Sequence, residues 1–513
     1  MLYSRTKEFS NIELLKNKCR YKEALHEISK LEENEDLSNY EQIFCCALKS
    51  SLLFESGDYN KALKLIDQIY QVSQKFKPNI HLIDALIIKS QILWRKGNLE
   101  ETLDLIANIE ELLKKISHEI PTELKRRWAQ LSDIKGWIYL YEGDINKATE
   151  NMENSLKLRE LIGDEREIAL STYLKGNIYL YYKIDWVYSQ KCIQKAFELA
   201  QKTDFKSLIA LCLGRLGDFY FFGGNLDKGF EYFTESFNLF KIIGHKRGIA
   251  WALGGFAYFY EEKGDLNRAL EFLDKSVNIS EEIGDIWGMT ENLDYCILFT
   301  LNDNDLERAK YYFNRMEQVM EHFNIKITRI FFQLDKALLL KTSQLVSDQV
   351  KAKEILMELV KEKTILEATI FFESTYRALL NLCDLLLNEL RNTHNLELLN
   401  DIQSYIRQML DASKNANSFW WLAETYLLQA KLDLITLDLK KAKDSITQAQ
   451  KIAKKYGLIQ LSERILVEQH ELHKQLNKWK VVQGSKATIT ELIDLAQIDD
   501  QLIRMLKRRY SLE

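Results

Sequence analysis

The stretch YEEKGDLNRALEFLDKSV, residues 260–277, decides the fold. Helix formers stand on both sides of Lys263-Gly264-Asp265, and no proline is near. Glycine reaches left-handed φ without steric cost, so Gly264 is suited to ending a helix. The aspartate after it can accept the first free N–H groups of the next helix. The stretch therefore reads as helix, tight turn, helix.

The same turn recurs as ESGDYNKAL (55–63), RKGNLEETL (95–103), YEGDINKAT (141–149), GGNLDKGF (223–230) and EKGDLNRAL (262–270). NDNDLERAK (302–310) carries Asn304 at the glycine position, and asparagine tolerates left-handed φ best among the other residues. The turn positions 57, 97, 143, 183, 224, 264 and 304 are spaced by 40, 46, 40, 41, 40 and 40. The copy at Lys183 is degraded, yet KGNIYLYY (175–182) repeats KGWIYLYE (135–142). Weaker copies place Cys19 and Leu437 at the turn, and LVSDQVKAKEIL (345–356) and RNTHNLELL (391–399) read as further turns. Self-similarity at such a period marks a repeat architecture.

Each copy has one grammar. Seven residues before the turn stands a small residue: Ser50, Ser90, Gly136, Gly176, Gly217 and Ala257, with Ile297 the exception. Four before it stands a large one: Leu53, Leu93, Tyr139, Tyr179, Tyr220 and Tyr260, with Thr300 weaker. Five after it stands another small one: Ala62, Thr102, Ala148, Gly229, Ala269 and Ala309, with Ser189 in the shifted copy. Small facing small lets two antiparallel helices approach closely, and the large residue fills the remaining groove.

The pattern resembles the tetratricopeptide repeat family, in its longer form of about forty residues, over residues 41 to about 320. The resemblance implies an all-α, right-handed α-solenoid superhelix of helix-turn-helix hairpins. Four regions are expected: a degenerate hairpin at 1–40, the regular array at 41–320, degenerate repeats at 321–480, and a hinge with a C-terminal amphipathic helix at 481–513. In the last, Leu492, Leu495, Ile498, Leu502 and Met505 share one face. That helix is expected to cap the array, or to dock or self-associate through this face.

Composition narrows the function. The chain has 513 residues with 46% hydrophobic and 28% charged, as in folded proteins. Its net charge of −5 lacks the basic excess of a nucleic-acid binder. The longest uncharged run, 248–260, has 13 residues, where a membrane span needs about 20. No apolar signal core opens the chain, and the seven cysteines form no CxxC, so buried thiols and a cytoplasmic location are expected.

Chemical motifs are missing. No GxxxxGK[ST] phosphate cradle occurs. His470 and His473 fall one residue short of the HExxH spacing. Asp303, Asp305 and Glu307 lack the glycine and the terminal glutamate of a calcium loop. No catalytic residue, metal ligand or cofactor is assigned.

The resemblance also implies which first-helix positions line the concave groove: thirteen, ten, six, three and two residues before the turn. These give Asp84, Trp94 and Arg95, then Asp133, Trp137 and Tyr141, then Tyr173 and Asn177. Asp218 and Phe222 follow, then Trp251 and Tyr258, then Glu291 and Asp294. The set is aromatic and acidic, which suits a protein or peptide segment carrying Lys or Arg beside apolar anchors. Lys49, Lys89, Lys135 and Lys175 form a column eight residues before the turn. They read as snorkelling stems, with a stripe for an acidic partner as the alternative. The leading function is a non-enzymatic scaffold that holds a partner in its groove. A ligand- or peptide-sensing regulator with a switching superhelix is the alternative, and an enzyme on an α/α scaffold ranks below both.

Overall fold

The computed structural model describes residues 6–33, 37–73, 80–116, 121–181, 186–222, 225–321, 326–361, 372–415, 418–456, 458–484 and 487–507. Every element among them is a helix. Seven hairpins form the regular block. Units 1 to 3 are Asn39–Ser56 with Tyr59–Ser73, Ile80–Arg95 with Leu99–Lys115, and Pro121–Tyr141 with Ile145–Ile162. Units 4 and 5 are Glu165–Tyr181 with Trp186–Lys202 and Lys206–Phe222 with Leu226–Ile243. Units 6 and 7 are Lys246–Glu262 with Leu266–Ile283 and Ile286–Asn302 with Leu306–Met320. An N-terminal hairpin, Thr6–Asn17 with Tyr21–Glu32, precedes them. Units 8 to 10 follow: Lys326–Lys341 with Val346–Lys361, Phe372–Thr393 with Leu398–Asn415, and Phe419–Ile435 with Leu439–Lys455.

The turns obey one hydrogen-bond rule. Gly264 N–H donates to the Glu261 carbonyl at 2.9 Å and Asp265 N–H to that of Tyr260 at 2.8 Å. This pair of bonds closes a helix on a residue with positive φ. The same pair occurs at Gly57, Gly97, Gly143, Asn304, Cys19 and Leu437, all with φ between 55° and 85°. The turn positions Lys183 and Gly224 lie outside the described residues, as does Pro78. Asp144, Asn225, Asp265, Asp305 and Asp438 then accept from the backbone N–H three residues on. Asn98 makes no such bond.

Gly264 isolates the backbone term. Its φ is +76°, and a Cβ placed there would meet nothing within 4 Å. Gly264→Ala is therefore expected to cost about 1–2 kcal/mol through strain alone, with Gly264→Asn costing less. Urea denaturation followed by circular dichroism checks the order. Equal stability of all three proteins would show that the turn tolerates right-handed φ.

Packing follows the small-large grammar. Ser50, Ser90, Ala257, Ala62, Thr102 and Ala269 are fully buried. Tyr220 stacks on Tyr232 and Tyr260 on Phe272, with ring centroids 5.2 and 5.4 Å apart. In both units the ring four residues before the turn rests on one in the second helix.

The array also curls onto itself. Phe44, Leu48 and Leu52 of unit 1 share one core with Ala210, Phe240 and Ile243 of unit 5. A Cβ on Gly57 would lie 3.0 Å from Ile283 of unit 6. Arg166 of unit 4 donates to the Asn17 carbonyl at 3.1 Å. The first units thus pack against units 4 to 7 along a seam between distant parts of the chain.

At the C-terminus, helix continues from Ile459 through Gln483, so the expected hinge begins later than Val481. Thr488 caps the next helix, accepting from Glu491 N–H at 3.3 Å. The last amphipathic stretch is two helices, Ile489–Ala496 and Ile498–Lys507, parted by Gln497 at φ +53°. Leu492, Ile498, Leu502 and Met505 are buried in the core that includes Phe372–Thr393 residues such as Tyr376 and Leu379. The chain's own helices thus cover these four residues of the face.

Candidate groove and its charge pairs

The first helices of units 2 to 7 carry the candidate residues, and the seam decides how open each one is. Trp94 and Tyr141 are buried. Their rings lie 5.4 Å apart, and Tyr141 meets Trp287 of unit 7 at 4.7 Å. Trp137 adds a ring 6.1 Å from Tyr141. These aromatics pack across the seam. Tyr173, Asn177, Asp218 and Asp294 are also buried. The Phe222 side chain lies outside the described residues.

The acids are mostly neutralised within the chain, which corrects the expectation of an acidic groove with one cation. Asp84 accepts from Arg127 at 2.8 and 3.0 Å. Burial alone would raise its carboxyl, but Arg127 and His81 hold it down to about 2. Asp133 takes both Arg159 nitrogens, at 2.6 and 3.1 Å. Asp294 takes Arg377 at 2.9 and 3.1 Å, and Asp218 takes Arg215 at 2.9 Å. A buried carboxylate without such a partner would cost several kcal/mol. Arg127, Arg159, Arg215 and Arg377 fall at none of the carried-over offsets. Their signal was local: single charges inside apolar helices, as in LCLGRLGDF (211–219), must find one another.

Units 5 to 7 keep a different environment. Glu291 is half-buried and has no ion-pair partner among the described residues. Burial pushes its carboxyl up to about 7; Arg215 opposes this, while Asp285, Asp294 and Asp218 add to it. Asp218 is raised by burial to about 6 in spite of Arg215. Around them, Arg215 lies over the half-buried Trp251 ring at 4.9 Å. Tyr258 meets Tyr295 at 4.8 Å. Burial raises the Tyr258 hydroxyl, with Glu291 the next cause. The result is a face of rings and carboxyls in which Arg215 is paired with Asp218 and Glu291 has no ion-pair partner among the described residues.

The lysine column has a structural role. Lys49 pairs with Glu32 at 2.7 Å and Lys89 with Asp67 at 2.8 Å. Lys135 pairs with Glu110, and Lys175 lies 5.7 Å over the Tyr188 ring. The first three each tie a first helix to the preceding unit's second helix. Six of the seven cysteines are buried free thiols, with Cys46 half-buried. Among the described residues, no three His, Cys, Asp or Glu are placed to hold a metal ion, and no helix is long and apolar enough to cross a membrane.

The sequence profile of the tetratricopeptide repeat matches residues 207–282. No curated protein matches the sequence. Among solved structures, the chain is similar to a Rap protein complexed with competence and sporulation factor, at 13% identity and a TM-score of 0.49. That match covers 74% of this chain and 99% of the other. It is similar to NprR in complex with its cognate peptide NprX, at 16% identity, a TM-score of 0.47, and 69% and 97% coverage. The apo form of the quorum sensor NprR from B. thuringiensis is similar at 12% identity and a TM-score of 0.45, covering 72% and 97%. Units 5 and 6 are the helical repeats that match the tetratricopeptide family's profile.

Proposed function

We propose that the chain is a non-enzymatic interaction scaffold that holds a segment of a partner protein, or a peptide, against the inner face of units 5 to 7. The carrying observation is Glu291, a half-buried carboxyl with no ion-pair partner among the described residues. Trp251 and Tyr258 stand on the preceding unit's first helix and supply apolar anchorage. A Lys or Arg beside an apolar side chain is the matching ligand chemistry, since rings and carboxylates both favour a desolvated cation. A location in the cytoplasm accords with the free thiols.

The sign of the pH dependence follows from the raised Glu291 carboxyl. At pH 6 it is mostly protonated and neutral, and at pH 8 mostly charged. Capture of a cationic segment is expected to be several-fold stronger at pH 8, and Glu291→Gln to abolish that difference. Capture from native lysate at the two pH values, with thermal midpoints measured in parallel, tests the reading. It fails if every interactor survives both Glu291→Gln and Trp251→Ala while the midpoints stay unchanged.

A switching superhelix is the second reading, favoured by the polar rim of the seam. There Lys246 lies 3.8 Å from Asp58. Such a half-exposed pair contributes little stability and rearranges easily.

A further inference from the structure

At units 9 and 10 the inner face is already occupied. The helices Ile489–Ala496 and Ile498–Lys507 lie on Phe372–Thr393 and Phe419–Ile435, the first helices of those units. First helices line the inside of a superhelix of such hairpins. The chain therefore folds its own last helices into the place where a bound helix would lie.

The repeat offsets show this residue by residue. Glu424 stands thirteen residues before the turn position Leu437, as Glu291 does before Asn304. Glu291 has no ion-pair partner among the described residues. Glu424 is 1% exposed and held at both oxygens. Arg464 donates to one, and the Gln501 amide donates to the other at 2.7 Å. Gln501 is itself fully buried, and its amide also reaches the Glu424 carbonyl at 3.3 Å. Leu427, Lys431 and Leu434 stand ten, six and three residues before the turn. They line a small cavity that Leu495, Ala496 and Gln497 close from the other side. In unit 9, Arg391 stands three residues before His394, which has φ +55°. It donates to Asp494 at 3.0 Å and to Asp499.

The helix pair is held by docking more than by itself. Helices of 8 and 10 residues are too short to persist alone. Between them Gln497 takes a left-handed φ of +53°, which is strained for a residue with a Cβ. The Arg391 pairs lie at the rim, where Asp494 is 63% exposed, and such pairs add little. Glu424 keeps Arg464 when Gln501 withdraws, so opening strands no bare buried carboxylate.

We propose that the C-terminal helix pair is a displaceable plug, and that the surface beneath it is a docking site for an amphipathic helix of a partner protein. The plug states the chemistry of that helix. It carries a carboxylate in its first turn for Arg391, a carboxamide for Glu424, and apolar side chains at the spacing of Ile498, Leu502 and Met505. The site lies apart from the face of units 5 to 7 and does not depend on Glu291.

The probe is a fluorescein-labelled peptide of residues 487–507, read by anisotropy against the full chain. Wild type is expected to bind it weakly, because its own plug competes. Leu502→Asp places a carboxylate in the buried stripe and frees the site. It is expected to bind the peptide at least about tenfold more tightly than wild type does, while circular dichroism loses no more than the 8 and 10 residues of the pair. A peptide carrying the same change is expected not to bind. In wild type, hydrogen exchange read by mass spectrometry is expected to be at least about tenfold faster in the pair than in Phe419–Ile435, because the pair opens while units 9 and 10 stay folded. Glu291→Gln is expected to alter neither readout, so this inference and the reading of units 5 to 7 fail separately. Equal affinity of wild type and Leu502→Asp for the peptide overturns the inference. So does exchange of the pair and of Phe419–Ile435 at one rate, or loss of units 9 and 10 in Leu502→Asp, since the pair would then be a fixed part of the core.

Discussion

Arg159→Met is expected to lower stability by about 3–5 kcal/mol and to split unfolding into two transitions. The side chain is 1% exposed. It donates to Asp133 in the first helix of unit 3, to Glu167 at 2.7 Å, and to Ser171 at 3.2 Å in the first helix of unit 4. Burial would lower its proton affinity, but Asp133 and Glu167 reverse that, so it stays charged throughout the accessible pH range. Methionine fills much of the volume and removes the charge. Asp133 is then left without its guanidinium, and Glu167 keeps only Arg126 at 2.8 Å. A repeat array is stabilised by nearest-neighbour interfaces, and this residue joins two of them. Weakening that junction lets the first units melt apart from the later ones. Arg159→Lys keeps the charge but not the planar fork, so an intermediate loss is expected. Urea titrations followed by circular dichroism and tryptophan fluorescence report the two halves, since Trp94 and Trp137 precede the junction and Trp251 and Trp287 follow it. One transition shifted by less than about 1 kcal/mol would mean that the Arg159 network is not formed in solution.

The hairpins were legible because each depends on single residue types at fixed offsets. A left-handed turn needs glycine or a tolerant substitute, and a close helix pair needs small residues. Even Cys19 and Leu437, poor residues for the task, were placed by their neighbours and adopt φ +55° and +60°. A second turn class was overlooked. Gly163, Gly244 and Gly284 join one unit to the next at φ near +75°, and they announce themselves in LIGDERE, IIGHKRG and EIGDIWG at 161–167, 242–248 and 282–288. The seam was not legible at all. Gly57 meets Ile283 because many small rotations between units accumulate, and no local pattern encodes that sum. For the same reason the aromatic groove could be read only by type. Trp94 and Tyr141 fall inside the seam, whereas Trp251, Tyr258 and Glu291 remain half-buried. The paired acids illustrate a third limit: the offsets located Asp84 and Asp133, but their arginines stand at positions the repeat grammar does not number.

Gly229→Val is expected to cost about 3 kcal/mol or more, near the upper end for overpacking. Gly229 lies five residues after its turn, where the two helices of unit 5 cross. A Cβ there would lie 2.9 Å from the Phe221 backbone nitrogen and 3.0 Å from its Cα. On the facing side, a Cβ on Gly217 would lie 2.7 Å from the Phe233 ring and 3.2 Å from the Gly229 carbonyl. Unit 6 uses Ala257 and Ala269 at the same two offsets, both fully buried. Unit 5 has come closer than alanine allows, and Phe221 and Phe233 occupy the space beside the crossing. Helix propensity works the other way: valine is better than glycine in a helix by a few tenths of a kcal/mol, so the measured loss understates the clash. Two features separate this from the strain at Gly264. The φ of Gly229 is helical, so the cost is contact alone, and it should grow from alanine to valine. The nearest atoms include backbone, which no side-chain truncation can move. Phe221→Leu is therefore expected not to rescue Gly229→Val, whereas a clash confined to the ring would be relieved. Full recovery of stability in that double variant would show that the helices of unit 5 part in solution and that the crossing is looser than its two glycines imply.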